Sequence, residues 1–500
     1  MEPLEALRHY FGYSAFRPGQ AEIIDLLLAG KDVLAVLPTG GGKSICYQIP
    51  ALLISGVTLV VSPLISLMKD QVNALTQNGI PAAYLNSALT PKQSALALRR
   101  AAMGAYKLIY VAPERLLQPA FRSVVNALEI AMVCVDEAHC VSQWGHDFRP
   151  SYLEIAPFLK ALPKRPVVFA CTATATPRVR TDIAQQLSLQ TPQLVKTGFD
   201  RPNLSFAVLH PKNKNAALLH LLERFENRSG IIYCASRNHV EQVHQLLENA
   251  GLPAAKYHAG MPIEERRAQQ DAFLLDETQI MTATNAFGMD IDKSNVSFII
   301  HYDLPGDLES YYQEAGRAGR DGGPADCVLL YQPRDVQIQQ YFIDHPDEAA
   351  AADAETAKAL RKERLQKLAA MVTYAKGETC LRAQILRYFG DTPNENCGNC
   401  SVCCKDGRNF PPRRKAVPAW KKAESLPDAD LLQRLHMLRK TIARRQSVPP
   451  FTVFTDKTLS LIAAARPRDS TELRRIAGVS DAKVQKYGAL FLREINRTEK

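Results

Sequence analysis

No stretch of this 500-residue chain approaches the ~20 consecutive apolar residues that span a bilayer. Its first residues, MEPLEALRHY, have neither the basic start nor the apolar run of a secretory signal. Both absences lead to the expectation of a cytoplasmic protein. A disulfide framework is not expected either. Of eleven cysteines, Cys46, Cys134, Cys140, Cys171, Cys234 and Cys327 stand singly through the first 330 residues, and an odd count spread this way suits reduced thiols. Only Cys380 and the run CGNCSVCC at 397–404 crowd together as metal ligands do. Net positive charge is also missing from most of the chain. The segment Arg408 to Lys500 holds 21 Lys and Arg against 9 Asp and Glu, an excess larger than the +10 of the whole chain. Basicity is therefore a property of the tail, which favours a polyanion such as nucleic acid over the plainer reading of a solvated basic face.

The hydrophobic share of 46% with 22% charged residues is ordinary globular composition, and the length is enough for about three or four domains. Residues 31 to 340 carry short apolar runs: DVLAVLP, VTLVVSP, KLIYVAP, AMVCVDE and PVVFACTAT, then GIIYC, QIMTAT and VSFIIHYD. Runs this short and rich in Val and Ile, separated by helix-length segments, predict buried parallel strands. Two sets part near Phe199 to Asn203, which predicts two doubly wound α/β lobes. After Pro333 the pattern turns helical up to the cysteines. KDGRNFPPRRKAVPAWKKAESLP then has no period that could form a core and reads as a linker. From about Asp428, DLLQRLHMLRKTIARR and KTLSLIAAA predict a small helical domain.

The stretch VLAVLPTGGGKSICYQIP places a glycine run between a strand and a helix. Backbone N–H groups of Thr39, Gly40, Gly41 and Gly42 can cradle phosphates there, with Lys43 on the β- and γ-phosphates and Ser44 on Mg2+. Leu37 stands where the strict pattern asks for a first glycine, but the strand context argues against a plain glycine turn. AMVCVDEAHC ends a strand in two carboxylates. Asp136 is placed to hold Mg2+ and Glu137 to orient or deprotonate a water. A DE pair alone is usually a surface turn; at the end of a buried strand downstream of a phosphate loop it is more specific. SQWGHDFRP leaves two readings open: Trp144 and Phe148 stacking on bases beside Arg149, or both rings in a core.

In order and nearly verbatim, PTGGGKS, SPLISLMKDQV, APERL, DEAHCVSQWGHDFRP, TATAT, YHAGM and ESYYQEAGRAGRDG resemble the motifs of RecQ-type superfamily 2 DNA helicases, over about residues 10 to 335. The resemblance implies two RecA-like lobes (1–199 and 200–338), a zinc-binding subdomain (339–407), a basic Pro-rich linker (408–427) and an HRDC-like domain (428–500). It implies ATP-dependent 3′→5′ unwinding of DNA in recombination and repair, with ATP, Mg2+ and Zn2+ as cofactors. Implied partners are single-stranded and branched or tailed duplex DNA, with a single-stranded-DNA-binding protein as a further candidate, at the nucleoid and not at a membrane.

Within FGYSAFRPGQ, the resemblance puts Tyr13 on adenine, Arg17 beside the nucleotide and Gln20 on the adenine edge, which an amide can both donate to and accept from. It makes Gln143, Trp144, Phe148 and Arg149 a loop that senses single-stranded DNA, and Thr172, Ala173 and Thr174 a link from nucleotide state to lobe movement. Gln313, Arg317 and Arg320 become the γ-phosphate residues of the second lobe, although a salt-bridged helix end would look alike. Asp292 matches the ribose-facing acid, while Asp290 departs from the glycine usual in AFGMGID and puts a carboxylate where only a hydrogen is expected. Cys380, Cys397, Cys400 and Cys403 match the zinc pattern, and four thiolates make a closed structural site. Cys404 could stand in for Cys403. Lys483, Lys486 and Tyr487, near the GVSDAKVQKYG turn, could meet a DNA backbone or form a plain surface. The winged-helix domain that usually follows the zinc module has no room in the linker. That gap, with Asp290, keeps a strand-annealing factor with weakened unwinding as a rival reading, and an RNA-remodelling ATPase as another.

Overall fold

A computed structural model describes the chain except for residues 88, 146, 227, 288–292, 346–353, 405–428, 447 and 498–500. The expected linker and the singled-out Asp290 and Asp292 lie outside the described residues. Contacts divide the chain into two units. One is Met1–Gly198 with the C-terminal segments Ser425–Ser447 and Phe451–Lys500; the other is Phe199–Glu424 with Val448–Pro450. The division at Gly198 is one residue before the expected break. The C-terminal helices, expected to stand apart, share a unit with the first sheet.

In the first unit the Val- and Ile-rich runs become β1 (Val33–Val36), β2 (Val57–Val61), β4 (Leu108–Val111), β5 (Ile130–Val135) and β6 (Val167–Thr172). With β3 (Ala82–Leu85) and β7 (Gln193–Lys196) they make a seven-stranded sheet in the order β3-β4-β2-β5-β6-β1-β7. Every pairing is parallel. Helices cover both faces, which is why the central strands carry apolar side chains on both sides instead of alternating. Leu37 extends β1, with its N–H on the Thr172 carbonyl and its side chain in the core. The departure from the phosphate-loop pattern at that position thus fills the space beneath the loop.

The second unit holds β8 (Leu204–Leu209), β9 (Ser229–Tyr233), β10 (Ala254–Tyr257), β11 (Ile280–Ala283), β12 (Val296–His301) and β13 (Ala325–Leu330). They form a second parallel sheet in the order β10-β11-β9-β12-β13-β8. No strand follows Leu330 among the described residues; the helices Arg334–Asp344, Ala354–Lys376 and Leu381–Tyr388 lead to the cysteine loop. No described helix is long and apolar enough to cross a membrane.

Candidate nucleotide and nucleic-acid site

In an open parallel sheet, ligands gather at the carboxyl ends of the strands. β1 runs into the glycine loop, β5 into Asp136-Glu137 and β6 into Thr172-Ala173-Thr174, and these three strands are neighbours. Gly40 and Gly42 both have φ of 80°. A Cβ on Gly41 would lie 2.8 Å from the Pro38 carbonyl oxygen, and one on Gly42 would lie 2.4 Å from the Gln20 amide nitrogen. The loop is therefore closed to side chains, as a backbone cradle for phosphate has to be. The helix Lys43–Leu53 begins at once, with Lys43 Nζ 3.5 Å from Glu137 Oε1.

Glu137 has φ 46°, in the left-handed region that is costly for a residue with a side chain. The turn brings its carboxylate between Lys43 and His139, the latter at 3.3 Å. Burial, and then the neighbouring Glu137 charge, push the Asp136 carboxyl up to about 6, with Lys43 opposing. Two carboxylates and one ammonium leave negative charge in excess, the setting that a divalent cation neutralises. Tyr152 donates its hydroxyl hydrogen to the Asp136 carbonyl at 2.9 Å and ties the turn to the helix beyond.

Tyr13 is exposed and Arg17 donates to the Gly40 carbonyl. Buried Gln20 accepts from the Arg17 N–H at 2.8 Å and donates to the Gly42 carbonyl at 3.0 Å. In this state the Gln20 amide holds the phosphate loop; reading a base edge would require it to let go.

His139 Nδ1 lies 2.8 Å from Thr172 Oγ1, and that same oxygen accepts from the Thr174 N–H at 3.3 Å. One buried imidazole thus joins the acidic turn to the TAT segment. From it leads the loop with exposed Gln143 and half-buried Trp144, Phe148 and Arg149, so neither ring lies in a closed core. Arg149 is tied to Asp147 at 3.0 Å and to the Pro63 carbonyl at 3.2 Å. The Trp144 ring is covered by the Arg178 guanidinium at 3.4 Å from its centroid. Arg178 lies just after the TATAT run, in no motif that marks it. His139, Cys140 and Asp147 come close enough to resemble metal ligands. Burial raises the Cys140 thiol well above its ordinary range and Asp147 is engaged by Arg149, which leaves a poor donor set.

In the second unit Gln313 lies on the helix Leu308–Ala315, with Arg317 and Arg320 in the turn after it. Arg317 is buried beside Tyr233, whose hydroxyl is raised above its ordinary range chiefly by burial, against the pull of Arg317 and Arg320. The turn is gripped from outside its own sequence. Arg201 donates to the carbonyls of Gly316, Ala318 and Gly319, and Asn203 to those of Gly319 and Gly323. Gly319, with φ 58°, leaves the room Asn203 needs. In the sequence Arg201 and Asn203 mark only the segment that parts the two sets of strands.

Cys380, at the start of the helix Leu381–Tyr388, joins Cys397, Cys400 and Cys403 with all four sulfurs within 4.8 Å of one another. Burial works to raise the Cys380 pKa, but the Ala383 and Cys397 amides aimed at the sulfur outweigh it and the thiol lies below its ordinary value. Four thiols at this separation fit a tetrahedral Zn2+ with no open position. Cys404 is exposed and outside the set, with its thiol on the Gly398 carbonyl.

In the C-terminal helices Tyr487 is buried, its ring 6.2 Å from that of Phe454 and its hydroxyl on Gln77 and Gln446, both at 2.9 Å. Lys486 reaches the same Gln77, and Lys483 turns toward the Phe454 ring at 5.6 Å. In this arrangement Tyr487 has no face open to DNA.

The DEAD/DEAH box helicase family model matches residues 17–183, the helicase conserved C-terminal domain 213–322, the RecQ zinc-binding family 333–404 and the HRDC domain 428–495. An ATP-dependent DNA helicase RecQ of Bacillus subtilis is 38% identical, with 98% of this chain and 97% of that protein covered. The Pasteurella multocida protein of the same name is 34% identical, covering 99% and 94%. The first alignment runs over 584 residues, more than this chain contains, so the relative carries residues with no counterpart here. Among solved structures, the fold resembles that of Mycobacterium smegmatis helicase Lhr with single-stranded DNA and AMP-PNP, at TM-score 0.54 and 21% identity over 72% of this chain and 56% of that one. It also resembles Saccharomyces cerevisiae Dbp5 with RNA and ADP BeF3, at TM-score 0.54 and 17% identity over 72% and 96%. With a phosphate cradle, an acidic turn, a four-cysteine cluster and relatives matched along nearly their whole length, the chain belongs to the RecQ family of ATP-dependent DNA helicases.

Proposed function

We propose that this chain hydrolyses Mg·ATP to move 3′→5′ along single-stranded DNA and unwind tailed or branched duplexes in recombination and repair. The observation that carries the reading is the continuous link in the first unit from Lys43 and Glu137 through His139 and Thr172 to the loop bearing Trp144. Lys43 binds the β- and γ-phosphates, Glu137 orients and deprotonates the attacking water, and Asp136 with Ser44 would hold Mg2+, which neutralises phosphate charge. Gln313, Arg317 and Arg320 stabilise the charge that develops on the γ-phosphoryl. Tyr13, Arg17 and Gln20 select adenine, and Asp292 meets the ribose. Gln143, Trp144, Phe148 and Arg149 contact the single strand, so that an arriving base alters the loop that His139 shares with the catalytic turn. The division into lobes, zinc subdomain, linker and HRDC-like domain is the corresponding domain plan, and nucleoid association with a single-stranded-DNA-binding protein as partner follows from the substrate.

Lys43→Ala should lower DNA-stimulated ATP hydrolysis by at least about a hundredfold, as loss of a preorganised charge at a transferring phosphoryl does. Hydrolysis and strand displacement are measured on 3′-tailed DNA, 5′-tailed DNA and RNA. Annealing without DNA-stimulated hydrolysis would overturn the helicase reading. A strand-annealing role is favoured by one feature, the 23-residue interval between the zinc-binding and HRDC matches, too short for a further domain.

A further inference from the structure

Among the described residues, the C-terminal helices meet the first lobe at the turn 478–481 and at the helix turn that follows it. Gly478 donates its backbone N–H to the Gly12 carbonyl at 2.9 Å. Gly12 has φ 71°, and a Cβ there would lie 2.6 Å from the Val479 carbonyl carbon, so the two backbones can meet only at glycine. Side chains flank the meeting point. His9 Nδ1 is 2.9 Å from Asp481 Oδ2, Ser480 donates to Asn78 Oδ1 at 3.2 Å, and Tyr487 donates to Gln77 at 2.9 Å. Gly12 is also the residue before Tyr13, at the head of the segment whose Arg17 and Gln20 hold the phosphate-loop carbonyls.

We infer that the turn at residues 478–481 is a positioning element of the nucleotide site, fixing the base-recognition segment so that ATP binds a prearranged surface. The inference rests on the reading of residues 11–20 as that segment. A glycine just before Tyr13 would otherwise leave the aromatic free to sample many orientations, and ATP would have to order it on binding. Docking of the C-terminal domain removes that cost beforehand, and bound ATP strengthens the docking by the same factor. These contacts end on His9, Gly12, Gln77 and Asn78, and none of them involves Lys43, Asp136 or Glu137, so their effect should fall on nucleotide affinity and not on the hydrolytic step.

The test uses full-length protein, with KM and kcat measured for ATP and GTP at saturating single-stranded DNA. His9→Ala combined with Gln77→Ala breaks two of the three flanking side-chain pairs from the lobe side, leaving Ser480 on Asn78 and the C-terminal helices untouched. It should raise KM for ATP about tenfold, the size of coupling seen within one contact network, with kcat changed less than about twofold and KM for GTP unmoved. His9→Asp should act likewise, and His9→Asp with Asp481→His should restore the ATP value. An unchanged KM for ATP, a fall in kcat alone, or an equal rise for GTP overturns the inference. Wild-type protein with equal KM for ATP and GTP sinks the base-recognition reading and the inference with it.

Discussion

The two units attach their accessory helices in opposite ways. In the second, the zinc subdomain is built into the lobe: the Phe199 and Phe389 rings stack at 4.4 Å, and Tyr374 and Tyr311 share a buried hydrogen bond at 3.0 Å. Buried Arg382 donates to Asp200 and to the Arg201 and Leu204 carbonyls. Ser401 donates to the Phe206 carbonyl at 2.9 Å, so the cysteine loop covers the free edge of β8. In the first unit, the C-terminal helices rest on a glycine-to-glycine backbone bond and a few polar side chains. The second unit thus holds its arginine turn through a buried network, whereas the first ties the segment bearing Tyr13, Arg17 and Gln20 to its C-terminal helices through few groups.

Removal of the metal should have the largest effect. Chelation, or Cys400→Ser, should cost roughly 5 kcal/mol or more, part of the ~10 to 16 kcal/mol that structural zinc supplies. Residues 354–404 should lose amide-exchange protection while residues 33–61 keep theirs. Equal loss in both regions, or none, would show that the metal is not what holds the accessory helices of the second unit.

The acidic turn contrasts with Asp303 of the second unit, where burial is outweighed by the His239 hydrogen bond at 2.7 Å together with the Lys214 charge, so that the carboxyl lies below its ordinary value. Asp136 is uncomfortable when ionised: its carboxyl is raised from 3.8 to about 6 by burial and by Glu137. A raised carboxyl means that the folded state holds its proton more tightly, so the cost of ionisation grows as pH rises from 3.8 to about 6 and is complete above that. Without nucleotide and Mg2+, Asp136→Asn should therefore stabilise the protein by about 2 to 3 kcal/mol at pH 7. The gain should vanish below pH 4, while hydrolysis is lost. Urea unfolding across this pH range checks it, and a variant less stable than wild type at pH 7 would refute the account.

The central strands were legible because burial on both faces demands unbroken Val and Ile, as in VTLVV of β2. β3, β7 and β10 escaped notice because they are sheet edges, where AAYL, QLVK and AAKY keep some side chains partly open. β8 is also an edge, though buried beneath the cysteine loop; β13 is as buried as the strands that were read, and nothing physical hides it. At the site, motif spacing located Lys43, Asp136 and the cysteines, and geometry then separated Cys404 from the metal set. Arg178, Arg201 and Asn203 were not legible, since each acts on a loop far away in sequence and only folding brings the partners together. The same holds for Tyr487, whose position near a turn suggested a DNA contact but whose ring completes a small core.

The smallest expected effect concerns Arg178 and sharpens the picture of the first unit as the one with releasable contacts. With its guanidinium 3.4 Å from the Trp144 centroid, one face of the ring is already occupied. A base that stacks on that face has to displace a cation–π contact worth about 0.5 to 2 kcal/mol. Arg178→Ala opens the face but also removes a positive charge that attracts phosphate, and the two effects oppose each other. Salt separates them, because charge attraction to DNA falls steeply with ionic strength and ring stacking does not. At high salt the variant should therefore need several-fold less single-stranded DNA than wild type for half-maximal ATPase stimulation; at low salt the difference should shrink or reverse. The chain has only two tryptophans, so quenching of Trp144 emission by oligonucleotide follows the same event in a Trp420→Phe background. If Arg178→Ala weakens DNA stimulation equally at both salt concentrations, the guanidinium orients the ring for DNA instead of occupying its place, and this loop is as fixed as the arginine turn of the second unit.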